Sequence, residues 1–134
     1  MTDQPIKVLI VDDEEGIVDF LSKILELKGY TAFTAMDGPK AVAIFEAERP
    51  EISVIDVHLT CSPIDGVEVL EKIKQIEKDA ICVMVTRITD QRKIRDAKAF
   101  GAKHYILKPV DAKDLVAVVE KIAQEIRERK SAGG

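Results

Sequence analysis

VLIVDDEE, residues 8–15, runs four apolar residues straight into four acids. An unbroken apolar run of that length reads as a strand buried on both faces, and such strands belong to parallel sheets covered by helices. The same pattern recurs three times. ISVI (52–55) runs into Asp56, ICVMV (81–85) into Thr86, and YIL (105–107) into Lys108-Pro109. If these strands are parallel, their C-terminal ends lie along one edge of the sheet. Three carboxylates, a hydroxyl and an ammonium then converge in the crevice where open α/β sheets bind ligands.

Helical patterns fill the gaps. Ile17, Phe20, Leu21, Ile24 and Leu25 recur at spacings of three and four, the signature of one helix face. Glu14 and Glu15 sit in its first turn, where the helix dipole favours acids, and Gly29 fits its stop. TAFTA (31–35) is a weaker, Thr-rich strand expected nearer an edge. Pro39 suits the first turn of a second helix carrying Ala41, Val42, Ile44 and Phe45, which Arg49-Pro50 ends. A third helix is expected from about Gly66, with Val67, Leu70, Ile73 and Ile76 inward. A fourth, over about 90–100, has thin apolar content and closes at Gly101. The last begins after Asp111 with Leu115, Val118, Val119, Ile122 and Ile126 inward. Its outer face (Lys121, Glu125, Arg127, Glu128, Arg129, Lys130) reads as solvated, or as a coiled extension toward another domain or a dimer partner.

Regular β-α alternation with short connections gives the fold class: α/β, a doubly wound five-stranded parallel sheet of flavodoxin-like order 2-1-3-4-5, with helices on both faces. One domain is expected over 1–130, with a frayed tail at 131–134. A chain of 134 residues can bury a core without disulfides or a structural metal. Net charge is −4 with no block of one sign, which argues against direct nucleic-acid binding by this segment. The start, MTDQPIK, has neither a basic n-region nor an apolar h-region, and no apolar run approaches a membrane span. Cys61 and Cys82 have no metal-like spacing. A cytoplasmic, reducing location is expected.

Clustered carboxylates repel one another, and at least one pKa rises unless a cation joins them. Oxygen-only ligands favour a hard divalent ion, and Mg²⁺ typically uses one or two carboxylates plus phosphate oxygens. Asp12, Asp13 and Asp56 match that description. Lys108 can neutralise a phosphoryl group, and Thr86 can donate to one of its oxygens. A carboxylate can itself be the nucleophile. Together these groups suit phosphoryl transfer onto an aspartate. The plainer readings are solvated acids capping helices, a β-branched strand residue and a surface lysine. They leave unexplained why all five fall where a phosphate site needs them.

Five segments carry a family resemblance: VLIVDDEE (8–15), VIDVHL (54–59), IDGVEVL (64–70), VMVT (83–86) and GAKHYILKP (101–109). In this order and spacing, covering essentially the whole chain from about Lys7, they resemble the receiver domains of two-component response regulators. The resemblance implies that Asp56 accepts the phosphoryl group. It implies that Asp13 binds Mg²⁺ directly and Asp12 through a water, with the backbone carbonyl of His58 as a further ligand. Thr86 resembles the switch hydroxyl, Lys108 the phosphoryl-pairing lysine, and Pro109 a proline that often follows a cis bond. Tyr105 matches the switch aromatic, with packing on the last helix as its plainer reading. The implied donor is a phosphohistidine of a sensor histidine kinase or phosphotransfer protein. The implied output is a rearranged surface around the fourth helix, fifth strand and fifth helix, read by an effector or output domain or by a second copy in a homodimer. No reaction with an external product is implied, only self-phosphorylation from small donors and self-dephosphorylation.

Two stretches depart from the family pattern. DVHLTCSPIDG is about two residues longer than the usual loop after the acceptor, with Thr60 where proline is common, so the Thr60–Pro63 loop is expected to be displaced and to reshape the mouth of the site or the kinase-docking surface. Arg87 stands where a small residue is usual, either covering the site and pairing with its charges or turned to solvent. The His58 side chain has two readings, an influence on water or metal and a plain exposed residue; His104 is expected to start the last strand without a role. Two rivals remain open. One is a degenerate receiver acting as a phosphorylation-independent interaction module. The other is an aspartate-nucleophile phosphatase, whose D-x-D pattern is broken here by His58.

Overall fold

The computed structural model describes residues 4–133, with side chains through Lys130. Ten elements alternate: β1 (Lys7–Val11), α1 (Glu15–Leu27), β2 (Thr31–Ala35), α2 (Gly38–Glu48), β3 (Ile52–Asp56), α3 (Gly66–Ile76), β4 (Ile81–Thr86), α4 (Gln91–Ala99), β5 (His104–Leu107) and α5 (Ala112–Gly133). The expected tail at 131–134 falls on residues whose side chains, and for Gly134 the backbone, lie outside the described set. All strand pairs are parallel, in the order β2-β1-β3-β4-β5. The expected sheet is therefore the observed one, and the Thr-rich strand lies at its edge.

Strand alternation divides the core into two layers. Leu9, Val11, Ile55, Cys82 and Met84 face Phe45 of α2, Leu70 and Ile73 of α3, and Ala97 of α4. Val8, Ile10, Val54, Val83 and Val85 face Val18, Leu21 and Leu25 of α1 and Leu115, Val119 and Ile122 of α5. Fully burying one such Leu or Ile stabilises the fold by about 1.5–3 kcal/mol. α4 takes a small share of this: Ala97 is its one buried residue.

Local signals set the ends. Gly29 and Gly101 take φ values of +95° and +97°, the left-handed conformation that stops a helix. Arg49 closes α2 at φ +49°, an uncommon place for a side chain. Asp37 caps α2 through the Lys40 amide, a cap that the sequence reading, resting on Pro39, did not assign. Asp65 and Glu68 form a reciprocal capping box at the start of α3.

Candidate functional site

Each strand-end group expected at the site lies at the C-terminal end of its strand. Asp12 and Asp13 follow β1, Asp56 and Thr86 are the last residues of β3 and β4, and Lys108 follows β5. One carboxylate oxygen from each of Asp12, Asp13 and Asp56 lies within 4.8 Å of the others. Asp56 is 2% exposed. Its Oδ2 accepts from Lys108 Nζ at 2.7 Å, and its Oδ1 from the His58 amide at 2.9 Å. The Lys108 amide donates to the Thr86 carbonyl at 2.7 Å, and the Lys108–Pro109 bond is cis.

Electrostatics follow from this crowding. Burial pushes the Asp12 carboxyl up to about 6; a hydrogen bond from the Glu14 amide opposes the rise, and the neighbouring Asp56 charge adds to it. A buried acid held that high is one that a divalent cation would ionise. Burial would also raise Asp13, but two hydrogen bonds from Thr60 hold it below the usual carboxylate range. Thr60 donates to Asp13 Oδ2 from its amide at 2.8 Å and from its hydroxyl at 2.6 Å. Thr86 is fully buried, and its Oγ1 has no hydrogen-bond partner among the described residues. An unpaired buried hydroxyl costs roughly 1–3 kcal/mol, so this one is available to an incoming acceptor. Oxygen-only donors, a high-pKa buried acid and a partnerless hydroxyl fit a hard cation beside a phosphoryl group.

Gly66 explains the Asp-Gly pair of the third motif. A Cβ there would lie 2.1 Å from the Asp56 carbonyl oxygen and 2.8 Å from Val57 Cα. Only glycine lets α3 start directly beneath the end of β3.

The rim differs in part from expectation. His58 is neither a plain exposed residue nor turned on the acids: its ring Nε2 lies 2.7 Å from Asp90 Oδ1. Asp90 Oδ2 accepts from the Arg87 amide at 2.7 Å. Burial would raise the Asp90 carboxyl, and these two bonds bring it down. Sequence reasoning missed Asp90, although an acid just before a helix is a signal; this one bonds back to the Arg87 amide rather than forward into α4. The Arg87 side chain is exposed and makes no ion pair among the described residues. Tyr105 packs on the α2–α4 layer, not on the last helix, and its hydroxyl donates to the Ala102 carbonyl at 3.0 Å. His104 opens β5 as expected. The mouth is a cavity of about 250 Å³ lined by Asp13, Glu14, His58, Thr60, Cys61, Arg87 and Lys108.

A model of the response regulator receiver domain family matches residues 8–120. The chain belongs to that family. This receiver is 34% identical over 124 residues to the chemotaxis protein CheY of Treponema pallidum, covering 92% of this chain and 84% of CheY. It is 31% identical to sporulation initiation phosphotransferase F of Bacillus subtilis, over 86% of this chain and 91% of that protein. A CheY-like receiver domain protein from Methanospirillum hungatei superposes with a TM-score of 0.82 at 31% identity, covering 95% of this chain and 98% of that one. NtrX from Brucella abortus reaches 0.86 at 28% identity, but this receiver spans only 29% of its length. Receivers of two-component systems bind Mg²⁺ at an acidic site and work with histidine kinases and output domains. Asp12, Asp13 and Asp56 form an acidic cluster in this receiver. Among the described residues, no helix of this receiver is long and apolar enough to cross a membrane.

Proposed function

We propose that Asp56 is the phospho-acceptor of this receiver. The observation that carries the reading is the Lys108 ammonium 2.7 Å from a buried Asp56, with two further acids alongside and a partnerless Thr86 hydroxyl at the end of the adjacent strand. An Asp56 carboxylate oxygen attacks the phosphorus of a phosphohistidine in line. The new O–P bond forms as the P–N bond breaks, and the departing imidazole takes a proton from solvent. Lys108 moves with the charge, from the carboxylate to the phosphoryl oxygens. Thr86 Oγ1 gains in the phosphorylated state the acceptor it lacks now, a difference that favours the switched conformation. Asp13, Asp56 and the His58 carbonyl would hold Mg²⁺, with Asp12 acting through a water. When bound, the ion draws charge off the phosphoryl oxygens.

The donor is a sensor histidine kinase or a phosphotransfer protein. The readout surface is α4-β5-α5, where Phe100 at the end of α4 and Leu107 at the end of β5 stay exposed, and it serves an effector, an output domain or a second copy. We place the protein in the cytoplasm. A degenerate, phosphorylation-independent module is not favoured, because the acids and the lysine are assembled and the Thr86 hydroxyl ends the adjacent strand. An enzyme with an external product is likewise not proposed; the chemistry is limited to self-phosphorylation from small donors and self-dephosphorylation.

Intact-mass measurement after incubation with acetyl phosphate and Mg²⁺ tests this. One added phosphate is expected on the wild type and none on Asp56→Asn. Equal gain in both proteins, or none in either, overturns the assignment.

A further inference from the structure

The two-residue extension of the loop after Asp56 has a definite structural consequence. Thr60 reaches across to β1's end and places both of its donors on one oxygen, Asp13 Oδ2. The loop does not engage Oδ1. The loop is itself braced: Leu59 is buried, and Ser62 Oγ accepts from the Gly38 amide at 2.8 Å while donating to the Ile64 carbonyl at 2.6 Å. Ile64 sits so close to Gly38 that a Cβ there would lie 2.3 Å from Ile64 Cγ1. The loop that carries Thr60 is therefore anchored at α2's N-terminus through Ser62 and Ile64, which limits how far Thr60 can follow Asp13.

We propose that Thr60 is a positioning residue for cation binding, clamping Asp13 in its ligating orientation before Mg²⁺ arrives. Without a cation, Asp12 and Asp56 repel the Asp13 carboxylate, and an untethered side chain relaxes toward solvent. The metal must then pull it back, at a cost in affinity. Held by Oδ2, Asp13 keeps Oδ1 available. The same linkage runs in reverse: an ion that favours the clamped Asp13 tightens the clamp by the same factor. Proline, common at this position in the family, has no amide N–H or hydroxyl and cannot make either bond. The inference rests on the reading of Asp13 as a metal ligand.

The test is calorimetric titration of the full chain with Mg²⁺ at fixed pH and ionic strength. Thr60→Val removes the hydroxyl and keeps the shape. Its affinity should fall by about tenfold, the low end of the effect of outer-shell partners on metal binding. Thr60→Ser should keep wild-type affinity, a rescue that a purely structural role does not demand. In the wild type, Mg²⁺ should slow hydrogen exchange at the Thr60 amide. An unchanged or tighter Mg²⁺ affinity in Thr60→Val, an equal loss in Thr60→Ser, or Thr60 exchange indifferent to Mg²⁺ overturns the clamp. A wild type that binds no Mg²⁺ overturns the metal reading of the site and the clamp with it. Thr60 is exposed, so melting of each variant without metal confirms that folding is intact.

Discussion

Asp56 and Lys108 show how much a single contact carries at the residue scale. Asp56 is 2% exposed, and the ion pair at 2.7 Å satisfies its Oδ2. Lys108→Met leaves three clustered acids without that cation. We predict a loss of roughly 2–3 kcal/mol in metal-free urea unfolding at neutral pH, below the ~3–5 of a fully buried pair because the lysine is partly exposed. An unchanged unfolding midpoint would show that the pair adds nothing. Gly66 is a second such residue. In Gly66→Ala the new methyl meets the Asp56 carbonyl, a backbone group that cannot rotate away. The variant should lose about 1–3 kcal/mol by overpacking and lose phosphate uptake at the same time. Full uptake in a stable Gly66→Ala protein would contradict this reading. The sequence made Asp56, Lys108 and Gly66 legible because each follows a recognisable run. It gave no sign of Thr60 on Asp13 or His58 on Asp90, since those contacts depend on how loops 47 and 32 residues apart come together.

α4 has a thin apolar face, and its other attachments are polar. Ala97 is its one buried residue, while Lys93 pairs with Asp65 at the start of α3 and Asp90 pairs with His58 after β3. Both ties run to the segment that directly follows Asp56. Asp90→Ala should therefore speed hydrogen exchange across 91–99 while leaving α3 protected. Uniform exchange in mutant and wild type would mean that α4 is held by something else. The Asp65 tie has a pH signature. Burial alone would raise the Asp65 carboxyl, but hydrogen bonds from the Lys93 ammonium and the Glu68 backbone amide pull it below its ordinary value. A depressed folded-state pKa gives stability that is present above the unfolded value of about 3.9 and lost as pH falls through the folded value. Asp65→Asn keeps a good helix cap but loses the charge pair. It should be less stable than wild type at neutral pH, with the gap closing under acid conditions. A pH-independent gap in denaturant midpoints would rule the pair out as its source. The thin apolar pattern of α4 was readable in advance. Its polar ties were not, because a charged residue on a helix looks the same in sequence whether paired or solvated.

At the scale of the whole molecule, the cation binding proposed above would be linked to folding, because Asp12 and Asp13 follow β1 while Asp56 ends β3, and the three meet only in the folded state. Mg²⁺ should raise the melting temperature of the wild type with a saturating dependence on concentration, and Asp13→Asn should remove most of that shift. Equal shifts in both proteins would place the stabilising ion elsewhere. The amino-acid sequence determined the alternation of strands and helices, the five-stranded parallel sheet and the chemical identity of the strand-end groups. Those features rest on periodicity and local stops, which neighbouring residues encode. Tertiary structure alone decided that Asp13 is held by Thr60, that His58 turns to Asp90, that Tyr105 packs on the α2–α4 layer and that Thr86 keeps an unpaired hydroxyl. Each depends on the distance between groups far apart in the chain, a quantity that local pattern does not contain.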